Sequence, residues 1–105
     1  METKLNGILT EVNGFFLYSD DVAHKYISLI KEAIEIISEI EAPETSMLDN
    51  SKNDAITELS NELTNRMNNG FFHTSAERKK SEFRISKMLV GVSIGNVLSN
   101  MSAVE

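Results

Sequence analysis

The amino-acid sequence predicts an all-α protein: an antiparallel four-helix bundle built from two helix–loop–helix halves, with helices in the order short, long, short, long. Three observations support this fold. Apolar residues recur at helical spacing in four segments. One of these segments is apolar over so much of its circumference that a single neighbour cannot cover it. A short Asn-Gly-Phe-Phe motif also occurs twice, each time where a helix is predicted to end. We expect residues 1–105 to form a single domain.

The first segment, residues 2–13, carries apolar side chains at helical spacing, although Gly7 inside it costs about 1 kcal/mol relative to alanine. A β-hairpin over residues 8–18 is the competing interpretation, because an Asn-Gly pair between apolar runs favours a tight turn. An isolated hairpin is only marginally stable. We therefore favour a helix that ends at Asn13, with Gly14 in the left-handed conformation just beyond it.

Residues 19–43 form the predicted central helix. Ser19 or Asp20 can cap its start, and Ala42-Pro43 is expected to end it, since proline disfavours helical geometry in the preceding residue. Four of the seven heptad positions are apolar, whereas an ordinary surface helix has one stripe about 100° wide. The helix is thus expected to need at least two packing neighbours. Positions a and d are Ala23, Tyr26, Ile30, Ala33, Ile37 and Ile40.

The repeated motif is Asn13-Gly14-Phe15-Phe16 in the first half and residues 69–72 in the second. A serine follows each copy at the same offset, Ser19 and Ser75. One arrangement accounts for both: a helix ends at Asn-Gly, the phenylalanines cover its end, and the serine caps the next helix.

The third helix is predicted over about residues 52–69, capped by Ser51 with Asp54 at capping-box spacing. The preceding loop, residues 43–51, is expected to tuck Met47 and Leu48 inward. The apolar stripe of this helix is Ala55, Ile56, Leu59, Leu63 and Met67.

The last helix is predicted to begin at a capping box of Thr74 and Glu77. Residues 88–98 are ambiguous, because valine and isoleucine alternate with glycine and serine as in a strand. Gly91, Gly95 and Ser99, however, lie at four-residue spacing on one side of a helix, where small residues let a second backbone approach. We favour the helix. The stripe serves either an internal contact or a symmetric dimer.

The basic residues of the last helix are the main candidate for partner binding, together with Gly91 and Gly95. Lys80, Arg84 and Lys87 share one side of that helix, and cations near a helix start oppose its dipole, so negative partners are expected. The acidic face of the central helix can supply these partners within the chain. Otherwise the cluster meets an acidic protein or a phosphate group. The complete cluster is Arg78, Lys79, Lys80, Arg84 and Lys87.

Enzymatic motifs are not found. The serines have no histidine at a recognisable spacing, and no glycine-rich phosphate loop precedes a helix. Asp21 and His24 have the i, i+3 spacing of metal ligands, but no second such pair exists, so a solvated face is favoured. Glu32, Glu35 and Glu39 are also assigned to the solvated face of the central helix. We expect no catalysis, no cofactor and no metal.

Charge and composition bound the function. The net charge is −6, with −9 on residues 1–62 and +3 on residues 63–105, which disfavours nucleic-acid binding. The chain has no cysteine, no secretory signal at its start and no apolar run long enough to span a membrane, so we expect a cytoplasmic protein. The expected function is a small acidic protein–protein interaction module of the adaptor, inhibitor, immunity or chaperone type. The alternative is a structural homodimer formed through the glycine–serine stripe of the last helix.

Overall fold

The computed structural model describes residues 1–67 and 75–104, and within them it contains four α-helices and no strand. These are α1 (Glu2–Gly14), α2 (Asp20–Ser38), α3 (Met47–Asn65) and α4 (Ala76–Val104). Each helix packs against its neighbours in the chain, α1 also packs against α4, and α2 and α4 meet across the diagonal. The predicted four-helix bundle is confirmed.

Contacts at the helix ends show that α4 runs antiparallel to both α1 and α3. Near the end of α4, the Ser102 hydroxyl donates to Glu2 at the start of α1 (3.3 Å), and the Asn100 amide donates to the carbonyl of Met47 at the start of α3 (3.4 Å). At the other end of the bundle, Arg66 after α3 pairs with Glu82 in the second turn of α4. With 29 residues at about 1.5 Å each, α4 is about as long as the molecule, which measures 44 Å.

Helix α1 excludes the hairpin, because the chain is helical through Gly14. The predicted way in which this helix ends was wrong. Gly14 is not left-handed; it is the last helical residue, and Phe15 leaves the helix in an extended conformation (φ −80°, ψ 107°). Its N–H still reaches the carbonyl of Val12 at 3.3 Å, so this last turn is tightened rather than reversed.

Helix α2 is the predicted central helix. The Ser19 hydroxyl accepts from the N–H of Val22 at 3.1 Å and so caps it, as the repeat predicted. All six a and d residues are buried. The apolar residues at e and g are half-buried against the same core; they are Val22, Ile27, Leu29, Ile34 and Ile36. Because α2 packs against α1, α3 and α4, the expectation of at least two neighbours is confirmed.

The end predicted for α2 was wrong. The helix stops at Ser38, four residues before Ala42, so Pro43 does not terminate it. The N–H of Ile40 bonds the carbonyl of Ile37 at 3.1 Å in a tightened last turn, and the Ile40 side chain is buried. The Ile40 carbonyl then accepts from Lys52 Nζ at 2.7 Å. Two contacts therefore set this boundary: the burial of the Ile40 side chain and the hydrogen bond from Lys52 on α3 to the Ile40 carbonyl.

Helix α3 begins five residues earlier than predicted. Ser46, not Ser51, is the N-cap, and its hydroxyl accepts from the N–H of Asp49 at 3.1 Å. The Asp49 carboxylate accepts in return from the N–H of Thr45 at 3.2 Å, and Thr45 makes the turn with a positive φ of 63°. Leu48 is buried as expected, but the prediction for Met47 was wrong, because its side chain is exposed.

Helix α4 is continuous through residues 88–98, so the strand alternative does not hold. The Ser75 hydroxyl accepts from the N–H of Arg78 at 3.3 Å, which is the cap that the repeat predicted. Thr74 and the second Asn-Gly-Phe-Phe motif lie outside the described residues.

An aromatic cluster lies between the α1–α2 connection, α2 and α4. The Tyr26 ring is fully buried, with ring centroids 5.1 Å from Phe83 and 6.3 Å from Phe15 in edge-on geometry. Its hydroxyl and that of the buried Ser86 lie 2.9 Å apart and share a hydrogen bond. The Tyr26–Ser86 pair is thus a buried polar contact between α2 and α4.

Stability is expected to fall above pH 10 because of Tyr26. Burial raises the pKa of its phenol well above the ordinary 10.0, and this outweighs the opposing effect of the Ser86 hydrogen bond. The unfolded chain therefore loses this proton first, and the free energy of unfolding falls with rising pH by up to about 1.4 kcal/mol per unit. The free energy of unfolding, measured by urea denaturation below and above pH 10, should fall less steeply with pH for Tyr26→Phe than for the wild-type chain. The same pH dependence in both proteins would contradict the assignment to Tyr26.

Candidate protein-binding groove

Three of the predicted basic residues line one groove. Lys80, Arg84 and Lys87 lie on one side of α4 at spacings of four and three residues, as expected for a helix. The opposite wall is the α1–α2 connection, residues 16–18. The space enclosed is about 400 Å³, and Phe83 contributes to its lining. We call this the basic groove.

The connection presents two large apolar side chains to solvent. Phe15 is half-buried and packs against the rings of Tyr26 and Phe83. Phe16 and Leu17 are 86% and 82% exposed, so they do not cover the end of α1. Tyr18 returns to the core, with its ring centroid 5.6 Å from that of Phe83. Apolar side chains exposed in this way beside a groove are typical of binding sites.

Lys87 fixes the connection to α4. Its ammonium donates to the carbonyl of Phe15 and lies 5.2 Å from the centroid of the Phe83 ring, a cation–π distance. Two independent contacts thus hold Lys87 in place, and this half-buried residue also lines the groove. The wall carrying Phe16 and Leu17 is in this way attached to α4.

The other two cations of the groove are exposed to solvent. Within residues 1–67 and 75–104, no carboxylate lies within 4.0 Å of Lys80, Arg84 or Lys87. Among the described residues, Lys80, Arg84 and Lys87 therefore do not pair with the acidic face of the central helix. Glu32 and Glu35 on α2 and Glu39 just after its end are exposed, as the heptad pattern predicted.

The rest of the predicted cluster lies outside the groove. Lys79 Nζ is 3.9 Å from Asp20 at the start of α2, a partly exposed ion pair of the kind that adds little stability. The side chain of Arg78 is exposed. A Cβ at Gly91 would lie 3.9 Å from Asn13 Oδ1, and at Gly95 it would meet no atom within 4 Å. No close backbone approach therefore uses this stripe among the described residues.

A second apolar surface of α4 was not singled out from the sequence. Ile85, Met88 and Val92 are exposed at i, i+3 and i+7, the latter two by 66% and 64%. Beside them is a groove of about 340 Å³ lined by Met88, Leu89, Val92, Ser93, Asp54 and Glu58. We call it the acid-rimmed groove. The sequence feature that indicates this groove is a second apolar stripe on α4, formed by Ile85, Met88 and Val92. It lies on the side of the helix opposite the buried residues Phe83, Val90, Ile94 and Val97.

Metal-ligand chemistry finds no support in the described part of the chain. Asp21 and His24 are both exposed at the start of α2. Within the described ranges, no three side chains of His, Cys, Asp or Glu come together in a way that could hold a metal ion.

Among the described residues, no helix combines the length and the apolar character required to cross a membrane. A comparison of the chain with protein-family models, curated proteins and solved structures finds no match.

Proposed function

We propose that this protein is a binding module without catalytic activity, and that its basic groove takes an acidic, apolar-anchored segment of a protein partner. One observation carries the proposal. Lys80 and Arg84 lie without a carboxylate partner in the described residues, beside Phe16 and Leu17, which are more than four-fifths exposed. Neither these cations nor the exposed apolar side chains stabilise the fold. A ligand that carries both carboxylates and apolar side chains would pair with the cations and cover the apolar side chains at once.

The chemistry of the groove favours a protein segment over a phosphate. A free phosphate would pair with the cations but would leave Phe16 and Leu17 in water. A nucleic acid requires the neutralisation of many phosphates, and this chain carries a net charge of −6. An amphipathic helix can place apolar residues at i, i+3 and i+4 against the two apolar side chains while its carboxylates reach Lys80 and Arg84. Arginine can bind such a carboxylate in a bidentate pair.

The groove is expected to be largely formed before binding. Because Lys87 ties the connection to α4, little ordering of the wall is needed when the ligand arrives, and this lowers the cost of association. The two solvent-facing cations are expected to speed encounter with an acidic partner and to make the association rate sensitive to salt.

A selection from displayed random-sequence helical peptides tests the proposal without knowledge of the natural partner. Selected peptides should combine Asp or Glu with apolar residues at helical spacing. Their affinity, measured by fluorescence anisotropy, should fall at least tenfold for the double variant Lys80→Glu/Arg84→Glu. The matched control is Lys25→Glu/Lys31→Glu, which changes the net charge equally on the exposed face of α2 and should bind normally.

Two results would count against the proposal. One is a selected pool without enrichment of acidic residues. The other is equal loss of affinity in both double variants, which would show that net charge rather than the groove decides binding. Leu17→Ser offers a check that does not change charge, because the side chain is exposed and its loss should weaken binding without unfolding the bundle.

A further inference from the structure

We propose that the partner of the basic groove is a second copy of this chain, which presents its acid-rimmed groove. The inference rests on the proposed function, since it identifies the acidic, apolar ligand of the same groove. The two surfaces are chemical complements: one offers Phe16 and Leu17 with cations, and the other offers an apolar trough beside Asp54 and Glu58.

The exposed stripe of α4 connects the two grooves. Ile85, Met88 and Val92 follow the alternating three- and four-residue spacing of a coiled-coil seam, and the same spacing continues to Gly95 and Ser99. The stripe is exposed in a single chain, although its residues are as apolar as those of a core helix. Small residues in its second half leave room for another helix.

The grooves lie on opposite edges of this stripe. The helical period places Lys80, Arg84 and Lys87 on one edge, beside the connection that carries Phe16 and Leu17. Leu89 and Ser93 lie on the other edge, where α3 brings Asp54 and Glu58 alongside. One face of the molecule therefore has a basic edge, an apolar centre and an acidic edge.

Symmetry selects one way of pairing two such faces. A two-fold axis parallel to α4 brings the basic edge of each copy against the acidic edge of the other, so the favourable contact forms twice. In an antiparallel pair, like edges would meet and repel. A stable interface needs about 800 Å² per partner, more than a stripe of three residues provides. The complete face adds the two flanking grooves and the exposed Phe16 and Leu17 side chains to this stripe.

Sedimentation equilibrium with charge-reversed variants tests the inference. The wild-type chain should associate at micromolar concentrations to twice its 11.7 kDa. Arg84→Glu and Glu58→Arg should each raise the dimer dissociation constant at least tenfold, because each places like charges at both contacts. An equimolar mixture of the two variants should again associate, since each contact between the unlike copies then joins one glutamate to one arginine. The matched controls Lys31→Glu and Glu35→Arg, both exposed on α2, should dimerise as wild type.

The outcomes separate this inference from the function on which it rests. A wild-type chain that stays monomeric at all concentrations overturns the second copy as partner, while selected acidic peptides can still bind the basic groove. Dimerisation that is unaffected by Arg84→Glu and Glu58→Arg overturns the proposed pairing. Variants that are folded by circular dichroism but fail to associate when mixed overturn it as well. Displacement of the second copy by a selected acidic peptide supports the shared groove.

Discussion

Replacement of Tyr26 by alanine is expected to lower the free energy of unfolding by about 3–5 kcal/mol. The ring is completely buried and packs edge-on against Phe83 and Phe15, so its loss leaves a cavity where α2, α4 and the α1–α2 connection meet. The buried hydroxyl of Ser86 would also lose the phenol oxygen 2.9 Å away. A domain of this size has a total stability of about 5–15 kcal/mol, so the variant should be close to unfolding.

Tyr26→Phe is the control that separates packing from hydrogen bonding. It keeps the ring and removes only the hydroxyl, so about 1 kcal/mol is expected to be lost. Urea denaturation followed by circular dichroism measures both variants. If Tyr26→Ala costs no more than Tyr26→Phe, the aromatic cluster is not the packing centre that the structure indicates.

The core could be predicted because burial follows periodicity. The heptad pattern of α2 placed Tyr26, Ile30 and Ile37 inward, and all three are buried. Its width required more than one neighbour, and α2 has three. A pattern of this kind depends only on the chemistry of side chains at fixed angles around a helix, which the sequence contains in full.

The helix boundaries could not be predicted because local signals were duplicated. Ser46 and Ser51 are each followed three residues later by an aspartate, and either can start a helix. Burial of Leu48 requires the earlier start, and that burial is a tertiary contact. A tertiary contact also decides where α2 ends. Pro43 marks only the last position at which the helix could stop, and burial of Ile40 ends it earlier.

The candidate site was predicted in part. Helical spacing placed Lys80, Arg84 and Lys87 on one side of α4, and they line one groove. The sequence could not show that the α1–α2 connection forms the other wall. Helix α4 has apolar residues on two sides, and only the positions of α1 and α3 decide which side becomes core and which stays exposed.

Replacement of Arg66 by alanine is expected to cost about 3 kcal/mol at neutral pH, through charge rather than packing. Its Nε donates to both carboxylate oxygens of Glu62 on α3 (3.0 and 3.2 Å), and its guanidinium also binds Glu82 on α4. Burial alone would lower the pKa of Arg66, but the two carboxylates raise it by more, so the guanidinium stays charged. Without it, Glu62, only 5% exposed, would remain as a buried carboxylate near Glu82.

The double variant Arg66→Met/Glu62→Leu decides whether buried charge is the cause. It loses the same ion pair but leaves no buried, unpaired Glu62 carboxylate in the α3–α4 contact, so its loss of stability should be about 1 kcal/mol or less. If urea denaturation shows the double variant to be as unstable as Arg66→Ala at neutral pH, lost contacts rather than a stranded carboxylate explain the effect. In that case the main role of Glu62, Arg66 and Glu82 would be to attach the end of α3 to α4.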